Sequence, residues 1–195
     1  ISAGLIYLLV ETIRKPIDFK NTRKLRETSV QARLKTIGDL QKMHKDLKDI
    51  YAADFDSLKQ VLTTDTFFIE KVVGDPNDTT QVVERVIVAV PSSDSLQGYI
   101  TAKNLTYTSV DEMFATIRKV PFAKDNTTDF DIQISEAIVD GTDSMKTPTF
   151  VVKTAIGSYM HEYDSASYVI YDPDYNPRKV RKIGDLYKPT TSGNW

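Results

Sequence analysis

The chain has 195 residues, 41% of them hydrophobic and 10% aromatic, which is enough apolar material for a packed core and too much for a disordered chain. A net charge of −2 gives no overall electrostatic reason to bind nucleic acid, and the absence of cysteine removes disulfides, thiolate metal sites and cysteine nucleophiles together. The two histidines, His44 and His161, are too few for a catalytic zinc held by imidazoles.

Residues 1–13 read as an apolar helix in which Ile1, Ala3, Leu5, Ile6, Tyr7, Leu8, Leu9, Val10 and Ile13 surround one acid, Glu11. A membrane span takes about 20 apolar residues, roughly twice what is present here. Either residue 1 is a cut end below the rest of a transmembrane helix, which the missing methionine favours, or the segment is a short amphipathic lead-in. The basic pair Arg14–Lys15 and Pro16 follow. Proline removes a helix hydrogen bond and disfavours helix in the preceding residue, so a kink or joint is expected there.

From about Asn21 to Leu62 the pattern is helical. Leu25, Val30, Leu34, Ile37, Leu40, Met43 or His44, Leu47, Ile50 and Tyr51 recur at spacings of three and four, with Lys, Arg, Gln and Asp between them. The first helix is expected to end near Tyr51–Ala53, and Asp54 to cap a second short one over Phe55–Leu62. After Thr63 the period shortens. Phe67–Val73 and Val82–Val90 read as strands around the turn GDPNDTT, and Pro91-Ser-Ser-Asp-Ser ends the second. Tyr99–Tyr107 is a further candidate strand. Val110, Met113, Phe114 and Ile117 form one helical face, capped by Ser109 or Asp111. Phe130–Val139, Thr149–Ile156, Tyr168–Tyr171 and Val180–Tyr187 read as strands, and the tail as loop. The expected fold is α+β: a long N-terminal helix, apolar at its start and amphipathic beyond, then an antiparallel β-rich domain with one short helix. The expected division is 1–15 as the end of a membrane or filament-core helix, 16–62 as stalk plus short helix, and 63–195 as the β-rich domain.

Motifs that carry chemistry are sparse. Asp172, Asp174 and Asn176 stand at alternate positions, as ligands do at the start of a calcium loop, but Pro177 and Ile183 occupy the sixth and twelfth positions and RKVRK contributes repelling charge. They are a weak calcium candidate beside a Pro-Asp turn. His161 reads as a solvent-facing strand residue and His44 as a packing or capping residue. No G-x-S-x-G, Gly-rich phosphate loop or H-E-x-x-H is present. Neither an enzymatic activity nor a cofactor or metal is expected. Tyr99, Tyr107, Tyr159, Tyr163, Tyr168, Tyr171 and Tyr175 read as half-buried sheet residues or interface contacts. Asp-Ser/Thr triplets at Asp78-Thr79-Thr80 and Asp143-Ser144-Met145, among others, resemble the O-glycosylation signal of Bacteroidetes envelope proteins, with Thr79 and Ser144 as the loop candidates.

Pro16-x-x-Phe19, Arg33-Leu34-Lys35-x-Ile37, Gln41, Tyr51, Asp54-Phe55-Asp56-x-Leu58, Val120-Pro121-Phe122 and the closing Gly193-Asn194-Trp195 resemble a family of uncharacterised Bacteroidetes membrane-anchored proteins. The resemblance implies one membrane helix and an exported domain, and no activity. The layout is also similar to type IV pilins and pseudopilins, although Glu11 comes later than the acid of pilins, and Lys and Arg after an apolar run prefer the cytoplasmic flank.

These features lead to a structural subunit of the bacterial cell envelope. It would be anchored in the inner membrane with its main domain in the periplasm, or extracellular if it forms a pilin-like filament. Its partners would be further copies or other envelope proteins, and the membrane through the N-terminal helix, with no nucleic acid. Assembly is expected through Leu5, Leu8, Leu9, Glu11 and Ile13, then Leu34, Ile37 and Leu40. Glu11 either pairs with a cation on a neighbouring chain or marks the water edge of the membrane. The alternative is a periplasmic ligand- or protein-binding module on a membrane-anchored stalk.

Overall fold

A computed structural model describes residues 2–73, 84–124, 127–138, 146–163 and 168–195, with the side chains of 2–8, 72–73 and 84 outside the description. The fold is α+β, a long N-terminal helix followed by antiparallel sheets and short helices. In chain order the elements are α1 (Ser2–Lys48), α2 (Phe55–Thr64), β1 (Thr66–Val73), β2 (Glu84–Pro91), α3 (Ser92–Ala102), α4 (Val110–Ile117), β3 (Asp131–Ile138), β4 (Lys146–Ala155), α5 (Ile156–Tyr159) and β5 (Val180–Gly184). They form two units, one of Ile1–Asp39 with Ala115–Trp195 and one of Leu40–Phe114.

In the first unit, α1 presents Phe19, Val30, Leu34 and Ile37 to the interior, all essentially inaccessible. The spacing of these four is the three-and-four period of a single helix face. The sheet has the order β3-β4-β5, antiparallel throughout, with Asp131 opposite Lys153 and Val151 opposite Gly184. The central strand β4 buries Thr149, Phe150, Val151 and Val152 consecutively, so both of its faces are covered. Among β3 residues only Ala137 is buried. Two glycines allow the packing. A Cβ on Gly38 would lie 2.7 Å from Ile183 Cδ1, so a side chain there would require the end of Ile183 on β5 to shift. Gly184 sits at φ +79°, a left-handed backbone open to glycine, and a Cβ there would overlap the Phe150 carbonyl oxygen.

In the second unit, α1 ends at Lys48, earlier than expected, because Asp49 turns left-handed at φ 60° and its N–H bonds the Lys45 carbonyl at 2.7 Å. Two buried polar side chains hold the reversal. Gln41 donates to the Ala52 carbonyl at 2.9 Å and accepts from the Ala52 N–H at 2.8 Å. His44 Nδ1 donates to the Ile50 carbonyl at 2.8 Å, so His44 is the capping residue its position suggested. Asp54 caps α2, accepting from the Ser57 N–H at 2.7 Å, and Phe55, Leu58 and Leu62 form its buried face. Ser109 accepts from the Glu112 N–H at 3.1 Å and so caps α4. β1 and β2 make a two-stranded antiparallel ribbon, Thr66 opposite Pro91 through Val73 opposite Glu84.

Three local expectations are corrected. The chain after Pro91 is the helix α3, not a loop leading to a strand over Tyr99–Tyr107. Buried Ser92, Leu96 and Ile100 share one helical face there, and the Ser92 hydroxyl donates to the Asp65 carbonyl at 2.8 Å. Tyr168–Tyr171 is a tight turn, with the Asp172 N–H on the Tyr168 carbonyl at 3.2 Å, because its tyrosines turn toward Phe19 instead of alternating across a sheet. Pro16 is no joint: α1 continues through it, since proline removes one rung while the helix on either side supplies the rest. The turn GDPNDTT lies outside the described residues.

Replacing Gly184 by alanine is expected to lower unfolding stability by about 2–3 kcal/mol. The measurement is the urea midpoint, with an unchanged slope marking loss of stability without a change in compactness.

Candidate functional site

The candidate site is the N-terminal part of α1, within the first unit. No residue from Leu9 to Asp18 is buried, and burial begins abruptly at Phe19. Leu9, Ile13 and Ile17 are 63%, 57% and 52% exposed and lie four residues apart. They form one apolar ridge along the helix, widened by exposed Val10. Leu5 and Leu8 belong to the same helix, and their side chains lie outside the described residues.

Glu11 has its cation within its own helix. The Lys15 Nζ stands 2.7 Å from its carboxylate, in the order Glu then Lys four residues on that best suits a helix. At 3.6 residues per turn, both project from the side of α1 away from the Leu9–Ile13–Ile17 ridge. Arg14 and Asp18 repeat the spacing at 3.7 Å. Both pairs are legible as i, i+4 partners in the sequence, a signal that a reading of Glu11 as a lone acid overlooks.

Leu34, Ile37 and Leu40 are corrected as assembly residues. All three have no accessible surface, because the helix stripe that carries them is spent on the chain's own core. The exposed apolar side chains of α1 described here are instead Leu9, Val10, Ile13, Ile17 and Leu25.

The body of the first unit grips α1 just after the ridge. Phe19 is enclosed by Tyr163, Tyr168, Tyr171 and Tyr175, with ring centroids 5.0 to 6.2 Å away. Four of the tyrosines singled out in the sequence thus meet around one phenylalanine, and Tyr159 is buried nearby in chain order on α5. Next come three arginines that no apolar pattern identifies. Arg23 bonds Glu27 at 3.2 Å and Asp172. Glu27 also receives Arg181 from β5 at 2.9 Å. Arg26 donates to the Tyr159 carbonyl and to Glu162, both at 2.8 Å, and lies over the rings of Phe122 and Tyr163. Arg33 donates to the Thr116 and Lys119 carbonyls at 3.0 and 2.6 Å.

Burial alone would depress the Arg23 guanidinium, but Glu27 and then Asp172 outweigh it and hold its pKa above the ordinary arginine value. The Tyr159 hydroxyl is buried with no hydrogen-bond partner among the described residues. Burial, then the negative Glu27, pushes its ionisation well above the usual tyrosine range.

The weak calcium candidate is occupied by protein contacts. Asp172 Oδ2 takes Arg23, and its Oδ1 accepts the Asp174 N–H at 3.1 Å. Asn176 Oδ1 accepts the Arg178 N–H at 2.9 Å. These are turn-forming bonds of the Asx type, and the Arg23 charge stands where a cation would. No cluster of three or more His, Cys, Asp or Glu able to hold a metal is found among the described residues. His161 lies in an exposed turn after α5, not on a strand, with its Nε2 3.8 Å from Glu162. Thr79 and Ser144 lie outside the described residues. An open groove of about 370 Å³ runs beside α1, lined by Lys20, Arg23, Lys24, Glu27, Asp172 and Asp174 among others.

No family model matches the chain, no curated protein matches it, and no solved structure matches it. Among the described residues no helix is long and apolar enough to cross a membrane.

Replacing Glu27 by alanine leaves Arg181 and one side of Arg23 buried without their acid. The expected loss is about 3–5 kcal/mol of stability, because an uncompensated buried charge costs more than the pair contributed. Thermal unfolding measures it, and a loss within a few tenths of a kcal/mol contradicts the role given to this network.

Proposed function

We propose that this chain is a structural subunit of the bacterial cell envelope, held at a membrane by the apolar start of α1 and assembling with further copies or other envelope proteins. The observation that carries the proposal is the Leu9–Ile13–Ile17 ridge. Three large apolar side chains, each more than half exposed, lie in line on a helix that the rest of its unit leaves uncovered. A solitary exposed leucine is ordinary on a soluble protein, whereas a contiguous apolar row marks a surface meant for another partner. The upstream run Leu5, Ile6, Tyr7 and Leu8 extends the same apolar character in sequence. The arginines of α1 support an architectural role, since buried Arg23 and half-buried Arg26 and Arg33 are spent on carboxylates and carbonyls of the fold itself.

Deleting residues 1–18 tests the proposal and, among the described residues, removes none that is buried. The shortened chain is expected to remain folded by circular dichroism, to leave the membrane fraction and to run as a monomer in size-exclusion chromatography with light scattering. The full chain is expected in the membrane fraction and in larger species. Equal behaviour of the two forms overturns the assignment of the N-terminal helix.

A further inference from the structure

The apolar row of α1 does not stop at Ile17. Continuing in steps of three and four, the same side of the helix next carries Lys20 and Lys24, both exposed. Among the described residues neither lysine forms an ion pair, whereas Lys15 is matched by Glu11 and Arg23 by Glu27 and Asp172. Of the acids lining the groove with them, Asp172 is committed to Arg23 and Glu27 to Arg23 and Arg181, which leaves Asp174. Two lysines facing one uncommitted acid leave this end of the row positive. The row therefore has two chemistries in order: branched aliphatic side chains over residues 9–17, then unpaired ammonium groups within the next two turns.

We infer that the partner of this row is an anionic lipid surface, with Leu9, Ile13 and Ile17 among the acyl chains and Lys20 and Lys24 at the headgroup phosphates. This rests on the membrane anchoring proposed above and adds which lipid charge the anchor selects. Lipid fits the order of the row better than a second copy does. A second helix would bury the aliphatic side chains but supply no acids for the lysines, because the acids of this segment, Glu11 and Asp18, are already bound to Lys15 and Arg14. Phosphate headgroups at the edge of an apolar layer supply both, and lysine can extend its charge to them while its methylenes stay on apolar material. A basic residue close to an anionic surface strengthens binding roughly five-fold at physiological salt.

The test is co-flotation of the full 195-residue chain with vesicles of phosphatidylcholine alone and of phosphatidylcholine mixed with phosphatidylglycerol. The expected result is tighter binding to the mixed vesicles, weakened by added salt and by about thirty-fold in the double variant Lys20→Gln/Lys24→Gln. Both lysines are exposed, so the variant keeps the fold, and the salt series on the unaltered chain reads the same interaction without any substitution. Equal binding to both vesicles, unchanged by salt or by the variant, overturns the inference and leaves membrane anchoring standing. No flotation, with a mass that rises with protein concentration, makes a second copy the occupant and overturns both.

Discussion

The docking of α1 depends on one buried exchange of charge. Glu27 sits between Arg23, one turn before it on the same helix, and Arg181 on β5, while Arg23 reaches on to Asp172. Residues more than a hundred positions apart are thereby fixed to one helical turn. Such a network is a poor source of net stability, since desolvating four charges offsets much of their attraction. What it does fix is register. A helix sliding by one turn would part Glu27 from Arg181 and Arg23 from Asp172, leaving Arg181 buried without its acid, whereas apolar side chains alone would tolerate many positions.

With the register set, the remaining contacts fall into place along α1. Phe19 enters the tyrosine cluster one turn earlier. Gly38, about four turns beyond Arg23, packs against the Ile183 side chain on the strand that also carries Arg181. Between them Leu34 and Ile37 fill the interior. The same alignment decides what is left over. Residues 9–18 precede the aromatic contacts of Phe19, and among the described residues nothing of their own unit buries their apolar row. The exposed apolar row is in this sense the remainder of the packing problem. The residues of α1 with the strongest helical periodicity are consumed by the fold, and those with the weaker, earlier pattern stay available.

Much of this was legible in advance. Period-three-and-four spacing located α1, α2 and α4, and β-branched runs located β1 to β5, because both patterns follow from local geometry that every residue reports on. Capping was legible too, at Asp54, Ser109 and His44, for the same reason. α3 was not, because Pro91-Ser-Ser-Asp-Ser serves a turn and a helix start equally well and only the burial of Leu96 and Ile100 separates the two. The tight turn at Tyr168–Tyr171 looked like a strand because aromatic and β-branched residues favour sheets, and the pull of Phe19 is invisible in a local window. Leu34, Ile37 and Leu40 illustrate a different limit. An apolar stripe announces that a helix face is covered, without saying whether the cover is the same chain or another.

The sequence by itself determined the class of fold, the position of the long helix and the apolar character of its first turns, since these rest on propensity and periodicity within a few residues. It also held the i, i+4 answer to Glu11, which is local to α1. Tertiary structure alone decided which part of α1 is spent on the core and which part faces outward, and that arginines would be buried beside it. That division turns on partners more than a hundred residues away in sequence, Asp172 and Arg181 above all, and a buried cation can be recognised only once its acid has been brought to it.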